Sequence, residues 1–236
     1  MIDKLEVILL AAGRGSRLIP ITDHIPKCLV PICGIPLLQI WLDKLVELPY
    51  IGKVHINTSY MANKVDKFIS EYNSEKIKVH FEEELLGTAG TINKLMDQII
   101  TETVMIVHAD NLSVFDVDKF YEAYRMRETD QIGTMMTFET DNPRSCGIVT
   151  LENNNKIIDY VEKPHMAKSS LANAAIYIIN RKQYLSTINF NDYDFSKDYI
   201  AREYKRLNVY LNDKLHLDIG SIESYLNSQI YYKKLQ

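Results

Sequence analysis

Hydrophobic and polar positions in the first half of the chain follow two periods in turn. Short runs rich in apolar and β-branched residues, typical of strands, occupy residues 7–12, 54–59, 76–83 and 104–110. After each run, apolar residues recur every three or four positions, which predicts helices at 36–48, 63–73, 88–99 and 116–127. Four strand–helix repeats in a row are typical of a parallel sheet covered by helices.

The second half of the chain has a different pattern. Four strand-like runs follow closely at 132–139, 147–152, 157–164 and 172–180, with a turn signal, "NNNK", at 153–156. Helices are predicted near 182–188 and 196–206, and a last helix follows "LDIG" at 217–220. The predicted fold class is α/β: a Rossmann-like, mostly parallel central sheet flanked by helices, with a β-rich insertion in the second half. No linker composition interrupts the chain, so one domain is expected over 1–236.

Composition narrows the class of protein. The chain is 46% hydrophobic and 25% charged with a net charge of −4, which is typical of a globular protein and argues against a nucleic-acid binder. No apolar stretch approaches the roughly 20 residues of a membrane span. The three cysteines show neither zinc-site spacing nor a disulfide framework, which favours a reducing cytoplasm.

The loop after the first predicted strand, "AAGRGSRLIPITDHIPK" (11–27), carries the clearest chemical signal. It is not a Walker A loop, because no Gly-Lys-Ser/Thr follows Gly13 and Gly15. The dinucleotide fingerprint also fails, since Leu18 stands where its third glycine belongs. Neither standard nucleotide-binding class therefore describes this loop.

The residue types in the loop are nevertheless those that bind phosphate. Ligands of open α/β sheets lie beyond the carboxyl ends of the strands, where this loop begins. Gly13 and Gly15 permit close approach of the backbone to an anion. Arg14 and Arg17 add forked donors, and Lys27 adds a point charge.

The whole run resembles the signature of the sugar-1-phosphate nucleotidyltransferases, Gly-x-Gly-x-Arg-x-x-Pro-x-Thr-x-x-x-Pro-Lys. The residues that fill its fixed positions are Gly13, Gly15, Arg17, Pro20, Thr22, Pro26 and Lys27. The resemblance implies that the loop, with Ala11, Ala12 and Arg14, binds the nucleotide. It gives catalytic roles to Arg17, which would hold the leaving pyrophosphate, and to Lys27, which would contact the phosphate under attack.

A second element of that family is matched by "EEELLGTAGTI" (82–92). The resemblance implies that Gly87 and Thr88 lie against the nucleobase, with Glu84 near it. The same residues also fit a helix start in which Thr88 is the N-cap, and the two interpretations are compatible.

Two aspartates complete the nucleotide side of the resemblance. Asp110 ends the buried run 104–110, and Asp218 precedes a glycine and a helix start. Either aspartate alone is more commonly a cap or turn residue. Together they suit Mg²⁺, which takes one or two carboxylates plus phosphate and water oxygens, and the resemblance implies this metal pair.

The sugar side of the resemblance lies in the second half. "VEKP" (161–164) implies that Glu162 binds sugar hydroxyls and that Lys163 binds the sugar phosphate, while Asn173 and Gly147 match further sugar-binding positions. Two positions depart from the family pattern: Ala175 replaces a usual glycine, and Cys146 stands where tyrosine is common. These departures concern the identity of the sugar.

The resemblance implies the nucleotide-diphospho-sugar transferase fold, with a nucleotide-binding half to about residue 130 and a sugar-binding half at 131–236. The expected reaction transfers a nucleotidyl group from an NTP, here GTP, to mannose or manno-heptose 1-phosphate, giving NDP-sugar and pyrophosphate. Several alternatives stay open. The reaction could be thymidylyl, uridylyl or cytidylyl transfer to another sugar 1-phosphate or to a phosphocholine-like acceptor, or the chain could be a non-catalytic regulatory subunit that binds nucleotide sugars. The expected partners are the NTP and the sugar 1-phosphate, without nucleic acid or membrane, and homo-oligomer formation stays open.

Overall fold

The structure, a computed structural model, describes residues 4–152 and 155–235. Part of the turn expected at 153–156 therefore lies outside the described residues. The chain divides into two compact units, each built from separate segments. Within the described residues, the first contains 4–85, 107–113 and 215–235, and the second contains 86–106, 114–152 and 155–214.

Thirteen strands are found in the described ranges. They are β1 (Leu5–Leu10), β2 (Pro31–Ile32), β3 (Ile35–Pro36), β4 (Ile51–Thr58), β5 (Ile77–Phe81), β6 (Thr103–His108), β7 (Asn111–Ser113), β8 (Gly133–Glu139), β9 (Gly147–Leu151), β10 (Ile157–Glu162), β11 (Leu171–Asn180), β12 (Leu207–Leu211) and β13 (His216–Asp218).

The longer helices match the predicted ones within a few residues. They are α1 (Leu37–Leu45), α2 (Ala62–Tyr72), α3 (Gly87–Met96), α4 (Val117–Arg125), α5 (Arg181–Leu185), a π-helix (Phe195–Ile200) that continues as α6 (Ala201–Glu203), and α7 (Ile222–Lys233). The fold class is the predicted one, mixed α/β with a largely parallel sheet flanked by helices.

The first unit is organised by parallel strands. β1 is buried along its whole length and pairs in parallel with β4, which pairs in parallel with β5. The N–H of Ala109, just after β6, donates to the carbonyl of Leu10 at 3.1 Å. The loops that leave β1, β4, β5 and β6 therefore start from the carboxyl ends of the strands, where ligands of such sheets bind.

The second unit is mostly antiparallel. β11 pairs with β8 and β9, β9 pairs with β10, and β12 joins β8 in parallel. A bulge interrupts the β11–β8 register between Asn173 and Tyr177. Phe195 and Tyr199 stack on each other, Tyr177 meets Phe195 edge to face, and Tyr184 is tilted against Tyr199. All four rings are at most 1% exposed. These strands form the predicted β-rich part.

Several expectations about the elements need correction. The first strand ends at Leu10, so Ala11 and Ala12 belong to the loop, although both remain buried. The patterns did not predict β2, β3, β7, β12 or β13, since strands of two to five residues are too short to show a period. The proposed halves, meeting at about residue 130, stay a prediction.

A membrane-spanning helix was not expected. In the described ranges, no helix is both long enough and apolar enough to cross a bilayer.

Candidate functional site

The glycine loop is fixed by contacts that Gly15 alone permits. Gly15 adopts the left-handed conformation (φ +68), and a Cβ there would lie 2.9 Å from Lys27 Cβ and 3.0 Å from Thr22 Cγ2. Thr22 Oγ1 donates to the Gly15 carbonyl at 2.8 Å, and Tyr60 Oη donates to the Thr22 carbonyl at 3.0 Å. The loop therefore folds back so that Lys27 packs directly against Gly15.

The Lys27 ammonium lies close to the carboxylates of both predicted metal ligands. Its Nζ lies 2.6 Å from Asp110 Oδ2 and 3.7 Å from Asp218 Oδ1. The lysine side chain is 5% exposed, whereas those of Asp110 and Asp218 are 35% and 58% exposed. One ammonium group therefore sits within reach of two carboxylates that face solvent on their other side.

The lysine also controls the charge state of Asp110. Burial by itself would raise the pKa of this carboxyl, but the Lys27 ammonium, helped by His108, outweighs burial and leaves the pKa below its usual range. Asp110 is thus an anion at neutral pH. His216 also lies in this part of the first unit, but burial lowers its pKa to about 3 and keeps it neutral.

Asp218 is brought to Asp110 by a two-stranded ribbon. β13 pairs antiparallel with β7, and this register sets Asp218 opposite Asn111, the residue after Asp110. Arg17 approaches the same carboxylate, with Nη2 at 4.0 Å from Asp218 Oδ2. A Cβ on Gly220 would lie 2.7 Å from Asp218 Oδ2 and 2.9 Å from Arg17 Nη2, so the glycine leaves room for both charged groups.

The donor set fits Mg²⁺. Lys27 Nζ shows that Asp110 and Asp218 each direct an oxygen toward a single cation. Mg²⁺ commonly takes one or two carboxylates from a protein, while substrate phosphates and water fill its other positions. Across 4–152 and 155–235, no group of three or more His, Cys, Asp and Glu side chains is arranged to hold a metal. A metal bound here would therefore depend on the substrate for further ligands.

The start of the glycine loop is held by strands β4 and β5. Asn57 Oδ1 accepts from the Ala11 N–H at 2.8 Å, and Asn57 Nδ2 donates to Glu82 Oε1 at 3.4 Å. Asn57 and Glu82 are each 4% exposed, whereas Glu84 is exposed. Glu82 is therefore the acidic residue connected to the loop, and the expected place of Glu84 near the nucleobase stays a prediction.

Gly87 and Thr88 lie in the second unit against the segment Tyr193–Phe195. Gly87 has φ +74, and a Cβ there would lie 2.3 Å from the Tyr193 carbonyl oxygen. Thr88 Oγ1 accepts from the Phe195 N–H at 2.7 Å, so Thr88 does not cap α3 as expected. The hydroxyl instead fixes the start of the π-helix, because that N–H has no earlier helical partner.

The predicted sugar-side residues meet in one hydrogen-bonded network in the second unit. Asn173 Nδ2 donates to Tyr177 Oη at 2.6 Å and to Tyr160 Oη at 3.3 Å, and Tyr160 Oη donates to Glu162 Oε2 at 2.8 Å. Tyr177 Oη also lies 3.3 Å from Ser196 Oγ, on the π-helix that Thr88 anchors. Tyr160 thus joins Glu162 to Asn173, and Tyr177 joins Asn173 to Ser196 of the π-helix.

Gly147 and Lys163 border this network. A Cβ on Gly147 would lie 2.3 Å from Tyr160 Oη and 2.5 Å from Glu162 Oε2, so only glycine admits the pair. Lys163 is exposed, adopts φ +50, and donates its N–H to the Cys146 carbonyl at 2.9 Å. The backbone of Cys146 therefore fixes the turn from which the Lys163 side chain extends.

Ala175 occupies a conformation that favours glycine. Its φ is +53, at the β11 bulge, and its N–H donates to Asn173 Oδ1 at 2.9 Å. This backbone hydrogen bond sets the orientation of the Asn173 amide. Ala175 therefore adopts, with local strain, a left-handed backbone conformation that glycine adopts freely.

Comparison with known proteins identifies the family of this chain. A family model described as "Nucleotidyl transferase" matches residues 6–234. This chain belongs to the nucleotidyl transferase family.

Relatives within the nucleotidyl transferase family differ in length. The chain is 30% identical over 178 residues to the bifunctional protein GlmU of Methanocaldococcus jannaschii, covering 75% of this chain and 40% of that protein. The chain therefore spans less than half the length of this relative. It is 26% identical over 238 residues to the D-glycero-alpha-D-manno-heptose 1-phosphate guanylyltransferase of Aneurinibacillus thermoaerophilus, covering 98% of this chain and 99% of that one.

Among solved structures, HddC from Yersinia pseudotuberculosis is similar with a TM-score of 0.79 and 24% identity, covering 98% of this chain and 99% of that one. This likeness supports the nucleotidyl transferase fold.

Several polar residues of this nucleotidyl transferase were not identified from the sequence patterns. Asn57 and Glu82 hold the loop start, Tyr160 connects Glu162 to Asn173, and Tyr177 connects Asn173 to Ser196. The signal available for Asn57 was a polar residue near the end of a buried strand. The tyrosines carried no such signal, because alternating strand positions are commonly aromatic.

Gly13 and Gly15 form a matched pair for testing the loop. We expect Gly15→Ala to destabilise the protein by about 1–3 kcal/mol, because alanine must adopt a left-handed conformation against Lys27 and Thr22. A Cβ on Gly13 meets nothing within 4 Å, so Gly13→Ala should change stability by less than about 0.5 kcal/mol. Thermal unfolding measures both effects. If the loop binds phosphates, Gly13→Ala should still raise the KM for NTP, and wild-type kinetics would contradict that role.

Ala175→Gly should stabilise the protein by about 0.5–1 kcal/mol. Relief of the left-handed strain exceeds the extra backbone entropy that glycine loses on folding. Denaturant unfolding measures the change, with Ala174→Gly in the same strand as the control. Ala174 is fully buried and has no positive φ, so that variant should lose stability. Equal losses in the two variants would show that Ala175 is not strained.

Proposed function

We propose that this chain transfers a nucleotidyl group from an NTP to a sugar 1-phosphate, releasing pyrophosphate. The observation that supports this most is the position of Lys27 against Gly15 and between Asp110 and Asp218. That group of residues combines a phosphate-binding loop, a fixed cation and a pair of carboxylates suited to Mg²⁺. The retention of all three charged residues favours catalysis over a non-catalytic regulatory role.

The chemistry requires charge control more than proton transfer. A phosphate oxygen of the sugar 1-phosphate, already an anion, attacks the α-phosphorus of the NTP. A new P–O bond forms, and the bond from the α-phosphorus to the oxygen that bridges the α- and β-phosphates breaks, releasing pyrophosphate with its electron pair. No general base is needed, so catalysis depends on positioning and on stabilising negative charge.

The charged residues around the glycine loop of the first unit each have a role in this scheme. Lys27 stabilises the charge that develops at the α-phosphate, and its burial keeps the ammonium in one place. Arg17, whose side chain is 71% exposed, is free to bind the leaving pyrophosphate, with Arg14 assisting. Asp110 and Asp218 would hold Mg²⁺. The chemistry that a bound Mg²⁺ supplies is neutralisation of charge at the reacting phosphates.

The residues of the second unit are assigned to the acceptor. Glu162, Asn173 and the two tyrosine hydroxyls offer donors and acceptors suited to sugar hydroxyls, and Lys163 offers a cation for the sugar phosphate. A choline-like acceptor would instead call for an aromatic cage around a cation. The polar network therefore favours a sugar.

We also propose guanine as the base. A carboxylate accepts hydrogen bonds only, and guanine presents two adjacent donors, N1–H and N2–H₂, on its pairing edge. The buried carboxylate of Glu82, connected through Asn57 to the loop start, suits that pair of donors. The full-length relative named as a heptose 1-phosphate guanylyltransferase, and a Yersinia HddC structure complexed with GMP-PN, point to the same base.

Substitution of Glu82 tests the choice of base. We expect Glu82→Gln to lower kcat/KM for GTP at least about tenfold, because the amide presents a donor to one of the two guanine donors. Glu84→Gln is the matched control, since Glu84 is exposed two positions along the chain. Steady-state kinetics with GTP, dTTP and UTP measures how far kcat/KM falls for GTP compared with the other two nucleotides. If Glu84→Gln lowered kcat/KM for GTP and Glu82→Gln did not, Glu84 and not Glu82 would be the residue that contacts the base.

The reaction itself is tested by pyrophosphate release from every pairing of an NTP with a sugar 1-phosphate. Mannose, manno-heptose, glucose and N-acetylhexosamine 1-phosphates cover the main acceptors, with Mg²⁺ or with EDTA. We expect one strong signal, for GTP with a manno-configured acceptor, that disappears in EDTA. Silence from folded protein across all pairings would overturn the proposal.

A further inference from the structure

Helix α7 is attached to the first unit by its polar side. Tyr225 Oη and Gln229 Nε2 both donate to the Pro31 carbonyl at 3.0 Å, and Gln229 Oε1 accepts from the Cys33 N–H at 2.7 Å. Ser228 is the one buried residue of the helix. The interior face of α7 is thus made of hydrogen-bonding residues, the reverse of an ordinary surface helix.

Three large apolar side chains of α7 are exposed. Ile222, Leu226 and Ile230 are 37%, 55% and 56% exposed, and their four-residue spacing places them in one row along the helix. A contiguous exposed apolar row on a soluble domain commonly marks an interaction surface. We call this row, Ile222, Leu226 and Ile230, the apolar row of α7.

We propose that the apolar row of α7 binds the same row of a second copy of this chain, with the two helices antiparallel. The charges on the helix favour this occupant and this direction. Glu223 lies near the start of the row and Lys233 near its end. When Leu226 of one copy is set against Ile230 of the other in antiparallel register, Glu223 comes opposite Lys233.

Two-fold symmetry makes this contact self-complementary. The Leu226–Ile230 and Glu223–Lys233 pairs each occur twice, as in an isologous dimer interface. A parallel arrangement would instead place Glu223 against Glu223 and Lys233 against Lys233, which is repulsive. An antiparallel arrangement also sets each helix N-terminus beside a C-terminus, so the helix dipoles attract.

Sedimentation equilibrium of the whole chain tests the association. A 12-residue helix is about 18 Å long, so the interface is small and a dissociation constant in about the micromolar range is expected. Leu226→Glu should weaken the dimer at least about tenfold, because it places two carboxylates in the centre of the contact. Met126→Glu is the control, since Met126 is 78% exposed and lies outside α7, and it should dimerise like wild type.

Charge reversal tests the direction of pairing. Glu223→Lys should weaken the dimer, and Glu223→Lys combined with Lys233→Glu should restore it, because each copy then presents the opposite pair of charges. Circular dichroism verifies that each variant is folded. A wild-type chain that remains monomeric, a Leu226→Glu variant that dimerises like wild type, or a double variant without recovery would each overturn the proposal.

Discussion

Replacing Lys27 with alanine should lower kcat about 10²–10³-fold, the loss typical when one fixed charge that stabilises a transition state is removed. Lys27 Nζ is the cation between Asp110 and Asp218, and its Cβ packs against Gly15. Across 4–152 and 155–235, Lys27 is the one lysine or arginine that forms an ion pair with Asp110, so no neighbouring side chain replaces the charge. Pyrophosphate release under saturating substrates measures the loss.

The Lys27→Ala variant should stay folded. Asp110 is 35% exposed, so water can solvate the carboxylate after the ammonium is removed. Lys67→Ala is the matched control, because Lys67 is 78% exposed on α2, and it should retain wild-type turnover. Circular dichroism separates a loss of chemistry from a loss of fold. Unchanged turnover in a folded Lys27→Ala variant would remove Lys27 from the reaction.

Replacing Asp218 with asparagine should raise the Mg²⁺ concentration needed for half-maximal activity at least about tenfold, because one of two anionic ligands becomes neutral. Stability should change little, since the Arg17–Asp218 pair is 4.0 Å long and exposed on both sides. Activity across a Mg²⁺ titration measures the shift. Direct Mn²⁺ binding, followed by electron paramagnetic resonance, reports on the metal independently of turnover.

Asp213→Asn serves as the control for Asp218→Asn. Asp213 is exposed five positions earlier, outside the β7–β13 ribbon, and should give wild-type metal dependence. If Asp218→Asn also gave the wild-type Mg²⁺ midpoint and Mn²⁺ affinity, Asp218 would not be a metal ligand. Asp110 would then be the sole carboxylate candidate at this position.

The predicted positions of helices and longer strands agree closely with the structure, because each of these elements shows its own period. Helix α2, with Val65 buried inside, lies within one residue of the predicted 63–73. The predicted buried strand at 104–110 contains most of β6. In contrast, β7 and β13 are each three residues long, and their pairing joins positions more than a hundred residues apart. No local sequence pattern predicts such a pairing.

The same difference applies at the base element. The glycine at position 87 was singled out from sequence, and φ +74 explains why a glycine stands there. The three successive glutamates at 82–84 look alike in sequence, and the role of Glu84 beside the nucleobase stays a prediction. The structure buries Glu82, which continues from β5 and bonds Asn57, and leaves Glu84 exposed.

The sequence by itself determined which residue types are available for phosphate and metal chemistry: the glycine loop, Lys27 and the two aspartates. The sequence also determined the order of the main elements, because each helix or strand that is buried on one side shows its own hydrophobic period. Only the tertiary structure decided that Lys27 lies between Asp110 and Asp218, and that Tyr160 connects Glu162 to Asn173. These contacts depend on strand register and on backbone turns at Gly15 and Ala175, which are fixed by packing between distant segments and not by local preference.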